Sequence, residues 1–205
     1  MSLYLALGDS ITAGYGVGMS FSFPTLYAQY LRRYEPDLQL LNLGVNGLTT
    51  RGLLASLRQN PGLRQRVCQA SLITLTIGSN DLLQYLRNSS QVFNLSQLTL
   101  ALNCLGKTLC LIGEELRCLN PRATLKIGTL YNPLPAGPYA QYARQAQPIL
   151  DRANSLILAW ANCYGGNVAQ IEREFCGKEQ LLIGPDFAHP NAEGYQRIAR
   201  AFARA

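Results

Sequence analysis

The stretch Leu3-Tyr4-Leu5-Ala6-Leu7-Gly8-Asp9-Ser10 decides how this chain of 205 residues folds. Five consecutive apolar residues are typical of a buried strand, and the glycine, aspartate and serine that follow indicate a tight turn. Similar apolar runs, each followed by a helical pattern, recur at residues 38–43, 72–77, 123–130 and 167–171. This alternation predicts an α/β fold of three layers, α/β/α, with a central parallel sheet of about five strands.

The segments between the predicted strands carry apolar residues at spacings of three and four, which indicates helices. The first helix starts near Ser22 and Pro24, and a long helix over residues 95–119 ends at Asn120-Pro121. Leu100, Cys104, Cys110 and Leu111 widen the apolar face of the long helix beyond a coiled-coil seam, which favours packing against the sheet. Two further helices are predicted, one over residues 148–164 and one that begins at Pro190 and ends the chain. No repeat or linker interrupts this order, so residues 1–205 are expected to form a single domain.

The net charge of +6 comes mostly from scattered arginines. Arg197, Arg200 and Arg204 share one face of the last predicted helix, opposite its apolar residues, which indicates a solvated face and argues against nucleic-acid binding. A positive charge also attracts anionic partners, so weak association with an anionic lipid surface is the lesser alternative. No stretch reaches membrane-spanning length, and Ser10 lies too near the start for a signal peptide. The expected location is the cytoplasm, or the exterior for a mature form whose leader has been removed.

Six cysteines are spread along the chain without a C-x-x-C pair, and the chain has one histidine. This composition argues against a zinc site. Free thiols, buried or partly exposed, are the simplest interpretation, although the even number leaves room for one or two disulfides.

The single histidine, His189, lies three residues after Asp186, and Ser10 follows the first predicted strand at the other end of the chain. Serine, histidine and aspartate are together the components of an acyl-transfer site. Each also has an ordinary explanation, because serine caps helices and aspartate bonds backbone amides.

Three glycine-containing turns follow the first three predicted strands, at residues 8–12, 42–47 and 78–81. Because ligands of open parallel sheets bind at the carboxyl ends of the strands, we expect these turns to converge on one edge. The segment that carries Asp186 and His189 follows the fifth predicted strand and has to return to the same edge. The irregular residues 14–21, 131–139 and 172–185 are expected to lie over this edge and shape a pocket.

These motifs together resemble the GDSL, or SGNH, family of serine esterases and lipases. The resemblance covers nearly the whole chain, and the motifs that carry it are Gly8-Asp9-Ser10, the glycine turn after the second strand, Gly78-x-Asn80-Asp81 and Asp186-x-x-His189-Pro190. It implies a flavodoxin-like (SGNH hydrolase) fold. It also implies that Ser10 is the nucleophile, that His189 is its general base, and that Asp186 orients the imidazole.

The same resemblance implies an oxyanion hole formed by the Ser10 N–H, the Gly47 N–H and the Asn80 side-chain amide. Relatives often have Gly-Asp-Thr where this chain has Gly47-Leu48-Thr49, so Gly44 stays an alternative to Gly47. Asp9 and Asp81 are expected to bond backbone amides of their own loops. No metal and no organic cofactor is implied.

The function predicted on this basis is hydrolysis of small-molecule carboxylic esters with lipid-like or short-to-medium acyl chains. The apolar and aromatic residues of 14–21 and 131–135 suit acyl chains better than sugars. Within the family, the alternative is a carbohydrate O-acetylesterase. In a different class, the alternative is a flavodoxin-like module that binds a phosphate or flavin at Ser10-Ile11-Thr12. The oligomeric state is left open.

Overall fold

A five-stranded parallel sheet forms the centre of the computed structural model, which describes residues 2–87 and 95–205. The strand order is β2-β1-β3-β4-β5, so the chain crosses from one side of β1 to the other after β2. The predicted α/β/α class is confirmed. The strands are β1 (Leu3–Gly8), β2 (Gln39–Gly44), β3 (Leu72–Thr76), β4 (Thr124–Gly128) and β5 (Gly166–Ala169).

Helices follow each strand, as expected for parallel connections. In chain order they are α1 (Ser10–Ala13), α2 (Phe23–Leu31), α3 (Thr50–Gln59), α4 (Pro61–Gln69), α5 (Ser79–Arg87), α6 (Leu95–Leu119), α7 (Ala143–Tyr164), α8 (Ile171–Phe175), α9 (Glu179–Leu182) and α10 (Ala192–Arg204). Short 3₁₀ helices cover Met19–Phe21, Leu134–Ala136 and Ala140–Tyr142. Three segments expected to be irregular therefore contain short helices.

Two hydrophobic cores lie on opposite faces of the sheet, because alternate side chains of a strand point to opposite sides. Leu5 and Leu7 of β1 join the core that α3, α4, α6 and α7 cover. Tyr4 and Ala6 join the core formed with α2, α8 and α10. Both faces of the central strand are thus buried, which explains its uninterrupted apolar sequence.

The register of the central strands brings three strand ends to one level. Gly8, the last residue of β1, pairs with Gly44 of β2 and with Thr76 of β3. The turns after these strands therefore leave the sheet at the same edge, as predicted.

Two predicted helix starts are wrong. The helix predicted from residue 148 begins at Ala143, and Pro148 lies inside it. The prediction missed the first turn because its residues are largely exposed and show no apolar periodicity. The last helix begins at Ala192 and not at Pro190. Asn191 caps it by accepting the Gly194 N–H at 3.0 Å, while Pro190 forms an isolated bridge with Ile183.

Smaller differences concern single residues at element ends and on α6. Ile171, predicted in the fifth strand, opens α8. Leu100 and Cys110, predicted to widen the apolar face of α6, are exposed, since the neighbouring helices cover a narrower face. All six cysteines are free, and five of them are exposed.

The last helix places its arginines as predicted. Tyr195, Ile198 and Phe202 are fully buried on its inner face. On the outer face, Arg197 and Arg204 pair with glutamates, including Glu174 on α8. Across residues 2–87 and 95–205, none of the helices combines the length and the apolar character that crossing a bilayer requires.

Candidate active site

Ser10 is the first residue of α1, directly after the turn that ends β1. At Gly8 the backbone φ is +147°, and an added Cβ would lie 2.3 Å from the Thr76 carbonyl oxygen. Only glycine fits this close approach between β1 and β3. Asp9 is the N-cap of α1, and its side chain accepts the Ile11 N–H at 3.0 Å.

Asp9 is buried and ties the serine turn to β3. Its Oδ1 also accepts a hydrogen bond from the Thr76 hydroxyl at 3.1 Å, and that hydroxyl lies 2.7 Å from the Thr12 hydroxyl. Burial raises the pKa of Asp9 to about 7, although the bonds from Ile11 and Thr76 oppose the shift. The expected bond to a backbone amide of its own loop is present, and the bond to β3 adds a link that sequence alone does not indicate.

His189 and Ser10, 179 residues apart, lie within hydrogen-bond distance. His189 Nε2 is 2.9 Å from Ser10 Oγ, and His189 Nδ1 is 2.6 Å from Asp186 Oδ2. The second carboxylate oxygen, Asp186 Oδ1, accepts the N–H groups of Ala188 and His189. Partial burial acts to raise the pKa of Asp186, but these hydrogen bonds outweigh it and lower the pKa below the usual range. The three side chains singled out in the sequence are therefore brought together in one line.

Three tyrosines surround this line, and two of them belong to segments that the sequence analysis expects to shape the pocket. The Tyr15 ring packs on the imidazole of His189, with ring centroids 4.3 Å apart. Tyr195 donates a hydrogen bond from its hydroxyl to the Tyr15 carbonyl at 3.0 Å, and Tyr131 donates one to the Ala188 carbonyl at 2.8 Å. Tyr15 and Tyr131 lie in irregular segments, where residue spacing gives no sign of a neighbour. Their aromatic character indicated walls for an acyl chain, but it did not indicate the contacts with His189 and Ala188.

The end of β4 is fixed beside the site by a buried amide. Asn154 of α7 accepts the Leu130 N–H at 2.7 Å and donates to the Leu130 carbonyl at 2.9 Å. This pair of bonds satisfies the last backbone groups before Tyr131 and sets the direction in which the loop leaves the sheet.

The two candidate glycines of the second turn have different environments. Gly44 donates its N–H to the Asn42 side chain at 3.0 Å, and a Cβ on it would lie 2.2 Å from the Ala13 nitrogen, so Gly44 serves close packing. Gly47 is exposed with a φ of +77°, and among the described residues its N–H has no hydrogen-bond partner. Gly47 is therefore the better placed of the two to donate to a ligand.

Asn80 and Asp81 connect the third turn to the second. Asn80 donates one amide hydrogen to the Leu48 carbonyl at 3.0 Å, which leaves its other amide hydrogen available. Asp81 accepts the Thr50 N–H at 3.0 Å and the Thr50 hydroxyl at 2.5 Å. The Asp81 carboxylate thus bonds the first residue of α3, a partner outside its own loop that the sequence analysis did not indicate. Thr49 caps α3 by accepting the Gly52 N–H.

Phe187, between Asp186 and His189, has an unusual backbone. Its φ of +57° places it in the left-handed region, which costs a residue with a Cβ about 1–2 kcal/mol. Its ring is nevertheless half exposed. Among the described residues, no three histidine, cysteine, aspartate or glutamate side chains come together as metal ligands.

Comparison with known proteins identifies the family. A model of the GDSL-like lipase/acylhydrolase family matches residues 6–197. The chain belongs to this family. The spore germination lipase LipC of Bacillus licheniformis is 27% identical over an alignment 215 residues long. The alignment covers 96% of this chain and 92% of that protein.

Solved structures of other proteins have the same fold. The lipase Lip_vut3 from a goat rumen metagenome superposes with a TM-score of 0.80 at 24% identity, over 100% of this chain and 97% of that one. Axe2, an acetylxylan esterase from Geobacillus stearothermophilus, superposes with a TM-score of 0.72 at 20% identity, over 99% and 93% of the two chains. At these identities the two structures bear on the fold alone.

The buried carboxyl of Asp9 should make stability depend on pH. Its folded-state pKa of about 7 lies above the ordinary value of 3.8, so the folded protein binds this proton more tightly than the unfolded chain. The stabilisation is complete below the ordinary pKa and is lost as the pH rises to about 7. As the pH rises from 3.8 to about 7, the free energy of unfolding of the wild type should therefore fall relative to that of the Asp9→Asn variant. The asparagine is a suitable reference because its side-chain oxygen can still accept both hydrogen bonds.

Chemical denaturation of both proteins at several pH values measures this difference. Asp37→Asn, which changes an exposed aspartate, serves as the control. Parallel stability curves for wild type and Asp9→Asn would contradict the raised pKa.

Proposed function

We propose that this protein is a serine hydrolase that cleaves carboxylic esters of lipid-like or short-to-medium acyl chains. The observation that carries the proposal is the continuous hydrogen-bonded line from Ser10 Oγ through His189 to Asp186, with distances of 2.9 and 2.6 Å. Membership of a lipase and acylhydrolase family supports the reaction class.

In the proposed mechanism, Ser10 Oγ attacks the ester carbonyl carbon while His189 Nε2 takes the hydroxyl proton. Asp186 holds Nδ1–H and stabilises the imidazolium. The tetrahedral intermediate collapses, the carbon–oxygen bond to the alcohol breaks, and His189 returns its proton to the leaving alcohol. Water then attacks the acyl-enzyme by the same route and releases the acid and free Ser10.

Three donors are proposed to stabilise the oxyanion, namely the Ser10 N–H, the Gly47 N–H and the Asn80 amide. The Ser10 N–H belongs to the first turn of α1, where backbone donors have no partner inside the helix. The bond from Asn80 to the Leu48 carbonyl fixes the amide next to the Gly47 turn. Donors held in this way need little reorganisation when negative charge develops.

The alternative of a phosphate-binding or flavin-binding module fits the site less well. The phosphate of such a ligand would have to bind at the start of α1, but the Asp9 side chain caps that end of the helix. Asp186 is also close, because only the His189 ring separates it from Ser10. A bound phosphate would stay charged beside the ionised Asp186, and the first turn of α1, Ser10–Ala13, carries no basic residue to offset this repulsion. The oxyanion of the proposed reaction, in contrast, is transient and forms beside the imidazolium of His189.

Removal of the proposed nucleophile tests the reaction class. Ser10→Ala should reduce ester hydrolysis at least about a thousandfold, because no other group can form the acyl-enzyme. An organophosphonate should add one covalent group to the wild type, and mass spectrometry of peptides should place it on Ser10. Full activity in Ser10→Ala, or an intact protein with no adduct at Ser10, would refute the proposal.

Replacement of one oxyanion donor tests the proposed geometry. Asn80→Ala should lower kcat about 10²–10³-fold, because the transition state loses a fixed donor. Asn46→Ala changes an exposed asparagine in the neighbouring turn and should leave kcat unchanged. Steady-state kinetics together with a Tm for each variant separate loss of catalysis from loss of folding. Equal kcat values for the two variants would exclude Asn80 from the oxyanion site.

The second candidate substrate class is carbohydrate acetates, because the acetylxylan esterase Axe2 has the same fold. The preference of the enzyme for acyl-chain length separates this class from lipid-like esters. The partly exposed Tyr15 ring, which packs on His189 beside Ser10, favours acyl chains. We therefore expect kcat/KM for p-nitrophenyl esters to rise from acetate to butyrate and octanoate. Activity confined to the acetate, together with release of acetate from acetylated xylan, would support the carbohydrate esterase.

A further inference from the structure

An apolar rim lies beside the proposed triad. We define it as Tyr15, Met19, Phe21 and Phe187, which are 45, 65, 59 and 49% exposed. Met19 and Phe21 belong to the loop that folds back onto Gly14, the neighbour of Tyr15. Tyr15 touches the His189 ring, and Phe187 lies between Asp186 and His189. Large apolar side chains exposed as a group commonly mark a surface that another molecule covers.

The segments around the rim almost lack charge. Residues 14–22, 43–50, 131–142 and 183–191 contain Asp186 as their only formal charge, although the chain has 18 basic and 12 acidic residues. The Asp186 carboxylate is itself bonded to His189. The net positive charge of the chain therefore lies elsewhere, and Arg197 and Arg204 of α10 are already paired with glutamates.

The backbone at Phe187 gives an independent reason to assign the rim a role. Glycine would adopt the left-handed conformation there without strain, and a polar side chain would be better solvated. This position instead exposes half of a phenyl ring next to the histidine. Strained residues cluster at functional sites, where the structure around them keeps them in place.

The position of the rim limits what can cover it. A protein partner, or a second copy of this chain, would cover Ser10 and His189 and keep substrate out. A lipid surface would cover the same residues and supply the ester at the same time. We propose that the apolar rim docks onto the surface of a lipid aggregate with no net charge, an inference that rests on the proposed function.

Vesicle binding and a comparison of two substrate forms test the proposal. Binding is measured by sedimentation with phosphatidylcholine vesicles, using Ser10→Ala protein so that no substrate is consumed. Met19→Ser combined with Phe21→Ser, and separately Phe187→Gly, should each lower the partition coefficient about tenfold, because apolar area is lost from the lipid contact. Leu100→Ser removes an equally exposed apolar side chain from α6 and should change nothing.

With Ser10 restored, the ratio of activity on emulsified tributyrin to activity on dissolved p-nitrophenyl butyrate should fall about tenfold in the rim variants. A fall of both activities by the same factor would mean that these residues contact single substrate molecules and would overturn the proposal. Absence of binding to phosphatidylcholine, or binding to anionic phosphatidylglycerol vesicles alone, would overturn it as well. Failure of the proposed function would look different from failure of the docking proposal. In that case, neither substrate would show hydrolysis that depends on Ser10.

Discussion

The contact between Gly8 and β3 is the constraint on which the rest of the site depends. An added Cβ at this position would meet the Thr76 carbonyl oxygen at 2.3 Å, so β1 and β3 can approach this closely only because residue 8 has no side chain. The chain then turns directly from β1 into α1, and Asp9 bonds across to Thr76. Ser10 is thereby fixed between two strand ends, at the point where the strand order reverses and where open α/β sheets bind their ligands.

From that point, side-chain bonds connect one turn to the next. Asp9 joins the first turn to β3, Asn80 joins the third turn to the second through Leu48, and Asp81 joins the third turn to the start of α3 through Thr50. Two backbone hydrogen bonds at the edge, from the Asp9 N–H to the Thr76 carbonyl and from the Val45 N–H to the Gly8 carbonyl, add to these side-chain bonds. Together they fix the relative positions of the turns. Donors and acceptors that are already positioned lose little further freedom when a charged intermediate forms, which links the rigidity of the edge to the proposed catalysis.

The sequence predicted the strands because both faces of the sheet are covered, so that each central strand is an almost unbroken apolar run. It did not specify their order, since apolar runs of similar composition do not distinguish neighbours. The Ser10, Asp186 and His189 set could be predicted from chemistry, because the chain has a single imidazole. The partner of Asp81 could not, since it lies 31 residues away on another element. At the start of α10, the prediction relied on Pro190 alone. The bridge between Ile183 and Pro190 keeps that residue outside the helix, and Asn191 caps the helix instead.

Two of the aspartates at the edge of the sheet, Asp9 and Asp186, have environments that separate their pKa values. Burial raises the pKa of Asp9 to about 7, whereas hydrogen bonds from His189 and Ala188 overcome partial burial and lower the pKa of Asp186. Near neutral pH, Asp186 therefore carries the full negative charge that an imidazolium requires, and Asp9 is partly protonated. A second full negative charge beside Ser10 would repel the oxyanion that the proposed mechanism forms there. The apolar surroundings that make Asp9 costly to ionise thus also reduce an unfavourable charge at the reaction centre.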